Sequence, residues 1–198
     1  EDGVELQRVG RDKLRLDDET VAVFYGGGVQ GEWVERWGTD PQIETKTFTE
    51  VVEATREVAQ NNPDKKYALL VRPHPRDSEK ESIFDTSGVE LPPNLKVIPA
   101  NSPTVSPQEA TYASDVDLTI SSTESFKNIL RGRLAVFLTL EGEEMGEGMM
   151  RRVLGVEAFN QLRNKEGVEF IRDKQDLIKL ISGIERKTST KRSEEHES

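Results

Sequence analysis

The sequence predicts an α/β domain: three layers, with helices on both faces of a mostly parallel sheet of about six strands. Three observations lead there. Short apolar runs alternate with stretches of helical period along the chain. Runs such as 67–71 (YALLV) and 134–138 (LAVFL) are apolar throughout, the pattern of strands buried on both faces. Residues 115–136 read as one strand–turn–helix–strand unit, which only a parallel crossover produces.

Taken in order, residues 1–20 are polar and charged, with Leu6, Val9, Leu14 and Leu16 as a short apolar pattern. They read as a linker or hinge segment with one helical turn. Residues 21–25 (VAVFY) run into three glycines and form the first strand. A long loop follows, with a turn of helix around Trp33 and Trp37. A helix then opens at Thr47 or Thr49. Phe48, Val51, Val52, Thr55, Val58 and Ala59 carry its period as far as Gln60. Residues 67–71 are the second strand and 95–98 the third, with a weak helix and a Pro-Pro turn between. Ser106 caps a short helix with Pro107 in its first position, ending near Ser114. Residues 117–120 make the fourth strand, 126–131 a helix stopped by Gly132, and 134–138 the fifth strand. Helical pattern resumes to Asn164, 168–171 is the last strand, and Asp173 caps a helix through Ile184. The domain proper spans 21–184. Residues 185–198 lack an apolar face and are expected to be disordered.

Asp plus Glu outnumber Lys plus Arg by 37 to 27, a net charge of −10. That balance argues against a nucleic-acid partner, which needs clustered basic residues, but leaves room for a local nucleotide pocket. The absence of cysteine excludes disulfides, thiol nucleophiles and Cys metal sites. With no apolar run of transmembrane length and no visible signal peptide, a cytoplasmic location is the simplest reading. Neither a metal nor a cofactor is expected. Glu141, Glu143, Glu144 and Glu147 sit among glycines at a spacing unlike a calcium loop and read as a solvated acidic stretch. Met145, Met149 and Met150 read as one packed helix face; Trp33 and Trp37, four apart, share another that is either core or an apolar patch awaiting a partner. The sequence starts at Glu1 rather than Met and is read as part of something longer.

Three stretches carry candidate chemistry. Ser121, Ser122, Thr123 and Ser125 crowd the turn after the fourth strand. A helix N-terminus there offers unpaired N–H groups and a dipole to an anion. Capping alone needs one such residue. Arg72-Pro-His-Pro-Arg76-Asp follows the second strand. Its prolines pin His74, which can meet a phosphate oxygen or carry a proton, and Arg72 and Arg76 can offer planar forks. A capped His in a rigid turn is the bland alternative. Gly26-Gly27-Gly28-Val29-Gln30-Gly31 matches G-x-G-x-x-G. The second strand ends at Arg72 rather than an acidic residue, which disfavours a dinucleotide. Gly27 and Gly28 then either let a ligand or facing domain approach the backbone or form a flexible loop.

With these residues in view, the chain resembles the C-terminal, nucleotide-binding half of a GT-B-type glycosyltransferase. Arg11-x-Lys13-Leu14-x-Leu16 followed by VAVFYGGG is similar to the hinge and first strand of such halves. RPHPRD resembles the His-Pro string of UDP-N-acetylglucosamine 2-epimerases, polysialyltransferases and capsule and teichoic-acid transferases. Residues 113–138 resemble the turn and helix that hold the donor. The resemblance covers about 11–184 and implies a Rossmann-like domain. It also implies that His74 and the Ser121, Ser122, Thr123 turn contact nucleotide phosphates. Ser122 and Thr123 stand where the epimerases have two glycines, and Phe126 and Lys127 where they have ribose-holding glutamates. Glu124 is the nearby substitute.

The expectation is therefore a nucleotide-sugar-binding domain of a glycosyltransferase or glycerophosphotransferase. Its partners would be a nucleotide sugar or nucleoside diphosphate and an N-terminal domain of the same parent chain that completes catalysis. The alternative is a stand-alone, non-catalytic α/β binding or regulatory module.

Overall fold

The computed structural model describes residues 3–28, 31–74, 84–140 and 147–186. In chain order the elements are α1 (Gly3–Lys13), β1 (Val21–Gly26), α2 (Gly31–Trp37), α3 (Ile43–Asn61), β2 (Tyr67–Arg72), β3 (Leu95–Pro99), α4 (Pro107–Ala113), β4 (Val116–Thr119), α5 (Thr123–Leu130), β5 (Ala135–Leu138), α6 (Glu147–Leu154), α7 (Val156–Arg163), β6 (Val168–Ile171) and α8 (Lys174–Ser182). The six strands pair in parallel in the order β3-β2-β1-β4-β5-β6. The chain works outward from β1 through β2 to β3, then returns to the other side of β1 for β4. The strand order reverses there, and the crevice of such a sheet opens at the carboxyl ends of the strands flanking the reversal.

Alternation along the buried strands sorts side chains to two faces. Val23, Tyr25, Leu69, Val71, Leu118 and Val136 pack with α3 and α8. On the opposite face Phe24, Ala68 and Leu70 pack with Ala110 and Ala113 of α4, while Phe137 and Phe170 pack with Phe159 and Ile129 of α7 and α5. These are the expected three layers.

Four local expectations need correction. Residues 1–20 hold an 11-residue helix rather than a single turn. It lies against α4 so closely that a Cβ on Gly10 would sit 2.2 Å from the Glu109 carbonyl oxygen. Buried Arg11 holds it there, donating to the carbonyls of Ala113, Asp17 and Thr20 at 2.9, 2.5 and 2.7 Å. Helix α3 starts at Ile43, without a side-chain cap from Gln42, so its first turn carries none of the expected hydroxyl signals. The helical pattern up to Asn164 is made of two helices, parted at Gly155, whose φ of 84° helical residues do not adopt. Glu147 is buried rather than solvated, and pairs with Arg172 at 2.9 Å and Arg163 at 3.4 Å. Residues 85–94 contain no helix. Residues 78–83, the glutamates at 141, 143 and 144, Met145 and the tail from 187 lie outside the described residues.

Candidate functional site

Three strand ends meet at the carboxyl edge of the sheet. Gly26, the last residue of β1, pairs with Arg72 of β2 on one side and Thr119 of β4 on the other. The Gly27 N–H donates to the Arg72 carbonyl at 2.9 Å, and the Thr119 hydroxyl donates to the Gly26 carbonyl at 2.9 Å. Both glycines fill space that a side chain would need. A Cβ on Gly27 would stand 3.2 Å from the His74 backbone nitrogen and 3.3 Å from Pro73 Cα; one on Gly26 would stand 3.9 Å from Ser122 Oγ. The segment carrying His74 and the serine turn thus lie on either side of the end of β1. The structure brings Gly27, His74 and Ser122 to one place. Arg76 lies outside the described residues.

Ser122 caps α5, its Oγ accepting the Glu124 N–H at 3.2 Å. Ser121 precedes it, half-buried, and Thr123 opens the helix. Glu124 is held on its own helix by Lys127 at 2.5 Å and Arg131 at 4.0 Å. Ser125 faces inward and donates to the buried Asp117 carboxylate at 2.9 Å. Of the four hydroxyls in this stretch, Ser122 and Ser125 therefore build the turn.

One arm of the Arg72 guanidinium is used within the protein. Its Nη1 donates to the Ala100 and Val105 carbonyls and so ties β2 to the chain leaving β3. Burial pulls its pKa down from the usual guanidinium value, while the nearby Glu124 charge works the other way. Gly28 also has a partner in the protein: its N–H donates at 3.2 Å to Glu44 Oε2, from the first turn of α3. Glu44 is buried but carries no sequence signal, because it lies ahead of Thr47 and Thr49, the hydroxyls that mark a helix start. Asp117 is another buried acid. Its signal was a charged residue inside an apolar strand, with Ser125 and Asn128 on one face of the following helix. A cavity of about 300 Å³ opens beside His74 between the ends of β2 and β3, lined by Val71, Pro73, Phe84, Thr86, Val97 and Asn101 among others.

This arrangement is a doubly wound α/β sheet with a glycine strand end, a capped helix start and the Pro73-His74 segment at the reversal point. A solved structure of the wall teichoic acid polymerase TagF superposes with a TM-score of 0.54 at 16% identity, over 90% of this chain and 38% of that one. The fold is that of a Rossmann-like GT-B domain. A second TagF structure, a His-to-Asn variant soaked with CDPG, has a TM-score of 0.48 at 15% identity, over 90% of this chain and 35% of that one. The chain thus spans under two-fifths of the length of the polymerase it matches. The TagF likeness supports a GT-B-like glycosyltransferase fold and not the epimerase relation. No protein-family model matches the sequence, and no curated protein matches it. Among the described residues, no helix is long and apolar enough to cross a membrane, and no group of His, Asp and Glu is placed to hold a metal ion.

Proposed function

We propose that the chain grips the diphosphate of a nucleotide sugar or nucleoside diphosphate, as the donor-holding part of a GT-B-like glycosyltransferase or glycerophosphotransferase whose chemistry draws on a second domain. The observation that carries this reading is the convergence of the His74 segment and the Ser122 turn on the glycine end of β1. A diphosphate seated there meets backbone amides at the start of α5 on one side and His74 on the other. Such preorganised donors stabilise charge that builds on a leaving nucleotide. Gly26 and Gly27 supply the close approach. The fold likeness to TagF supports the transferase class.

Calorimetric titration with UDP and with CMP tests this reading. Saturable binding that weakens in His74→Ala and in the double change Ser122→Ala, Thr123→Ala supports it. Unchanged affinity in both variants removes the site assignment.

One observation favours the second reading, a non-catalytic binding module. Three groups expected to meet a ligand are engaged within the protein: Arg72 on carbonyls, the Gly28 N–H on Glu44, and Glu124 on Lys127 and Arg131. A parent protein that transfers no glycosyl or glycerophosphoryl group, while this domain still binds nucleotide, would decide for the module.

A further inference from the structure

Asp117 is the charged residue in the middle of β4, on the face that α5 covers, and it is fully buried. Ser125 Oγ and Asn128 Nδ2 both donate to its Oδ2, at 2.9 and 2.8 Å. Its other oxygen, Oδ1, is buried without a hydrogen-bond partner, and so is Asn128 Oδ1. Both are acceptors that lack a donor. An ionised Asp117 has none to give, whereas a carboxylic acid protonated on Oδ1 carries one and can pair with a carboxamide head to head. Ser125 lies in the first turn of α5 and Asn128 one turn on. The helix is therefore tied to β4 through this one carboxyl group, beneath the serine turn.

The charges around Asp117 are few. On α5, Glu124 disfavours its ionisation; after α5, Arg133 favours it. Arg133 is itself engaged by the carbonyls of Thr111 and Ser114, at 2.9 and 3.0 Å. The register neighbours of Asp117, Phe24 on β1 and Ala135 on β5, carry no charge. Asp115, on the same chain just before β4, is occupied by the Ala22 N–H at 2.8 Å and by Arg186 at 3.3 Å. Burial dominates and raises the Asp117 carboxyl to about 6, against the pull of Asn128, Ser125 and Arg133.

We propose that Asp117 is a positioning residue for the anion site: through Ser125 and Asn128 it fixes the first turn of α5, and it takes up a proton when an anion binds at that turn. This inference rests on the anion-binding reading of the serine turn. Its physical basis is that a buried negative charge under a helix N-terminus opposes a second one arriving from above. Neutralising Asp117 removes that opposition and supplies the missing donor in the same step.

The test uses the whole chain and inorganic sulfate, which stays doubly charged across the range. Carbon NMR follows the Asp117 carboxyl with and without sulfate, while the amides of residues 121–124 report sulfate itself. The expected result is an Asp117 midpoint that moves up on adding sulfate. In addition, Asp117→Asn should bind sulfate about 3- to 10-fold more tightly than the wild type at about pH 8, and equally well at about pH 5. Comparing the two proteins at the same pH cancels titration elsewhere, and the wild-type midpoint stands even where the variant folds poorly. Amides that respond to sulfate while the Asp117 midpoint stays put overturn this inference and leave the site in place. Amides that do not respond overturn the anion reading and the inference together.

Discussion

The Tyr25 hydroxyl donates to Glu44 Oε1 at 2.5 Å, with both side chains buried. Glu44 Oε2 accepts the Gly28 N–H. The start of α3 is thereby fixed to the end of β1, and the glycine loop leaves the sheet from an anchored point. Burial pushes the Tyr25 phenol well above its usual range, and the Glu44 charge adds to this, so the phenol keeps its proton. The Tyr25 ring also lies 5.4 Å from Phe48 and 6.2 Å from Phe84, centroid to centroid, which carries the anchor into the segment after His74.

Tyr25→Phe keeps those ring contacts and deletes the hydroxyl donor. The buried carboxylate then loses a hydrogen bond, at a cost of about 1–3 kcal/mol. A lower urea midpoint with an unchanged slope is the expected result, together with weaker nucleotide binding.

Gly10→Ala tests whether α1 belongs to the domain. The added Cβ meets the Glu109 backbone carbonyl, which no rotamer change can relieve. Overpacking of this kind costs about 1–3 kcal/mol. A thermal midpoint unchanged in Gly10→Ala would return residues 1–20 to the status of a linker.

Asp117 sets a pH dependence of stability. Its folded pKa, about 6, lies above the ordinary aspartate value of 3.8. The folded protein therefore holds this proton over a range where the unfolded chain has released it. The resulting stabilisation is fully present below about pH 4 and is lost as the pH rises through about 6. Its full size is roughly 3 kcal/mol. Because Asp117→Asn cannot titrate, its stability relative to the wild type should rise by up to that amount between acid and neutral pH, as read from urea unfolding at each pH.

Gly27→Ala separates binding from stability. Its Cβ would sit 3.2 Å from both the His74 backbone nitrogen and the tip of Phe84, so the segment carrying His74 must give by a few tenths of an ångström. A cost below about 1 kcal/mol in stability is expected, with a loss of about 3- to 10-fold in nucleotide affinity, because a binding group displaced by about half an ångström loses its geometry.

Much of this fold is legible in local chemistry. The apolar runs mark all six strands, and Ser106, Ser122 and Asp173 cap the helices they precede. The site's outline follows, since the runs ending in Gly26, Arg72 and Thr119 must meet once the strand order is known. What was missed depends on burial of charge. Arg11 makes α1 look like a solvated linker, although its two Nη groups donate to the carbonyls of Ala113, Asp17 and Thr20. Glu44 and Asp117 look like surface or strand filler until the glycine amide and the helix residues that bond them are in place. The carbonyls that take up Arg72 Nη1 come from beyond β3, out of reach of any short-range reading.

Hydrogen exchange with and without a nucleoside diphosphate tests the central claim most directly. If the end of β1, the His74 segment and the start of α5 form one anion grip, amides at 26–28, 72–74 and 121–126 slow together on adding UDP or CDP, and the rest of the sheet is unaffected. Protection confined to other elements, or none at these three segments at saturating nucleotide, contradicts it.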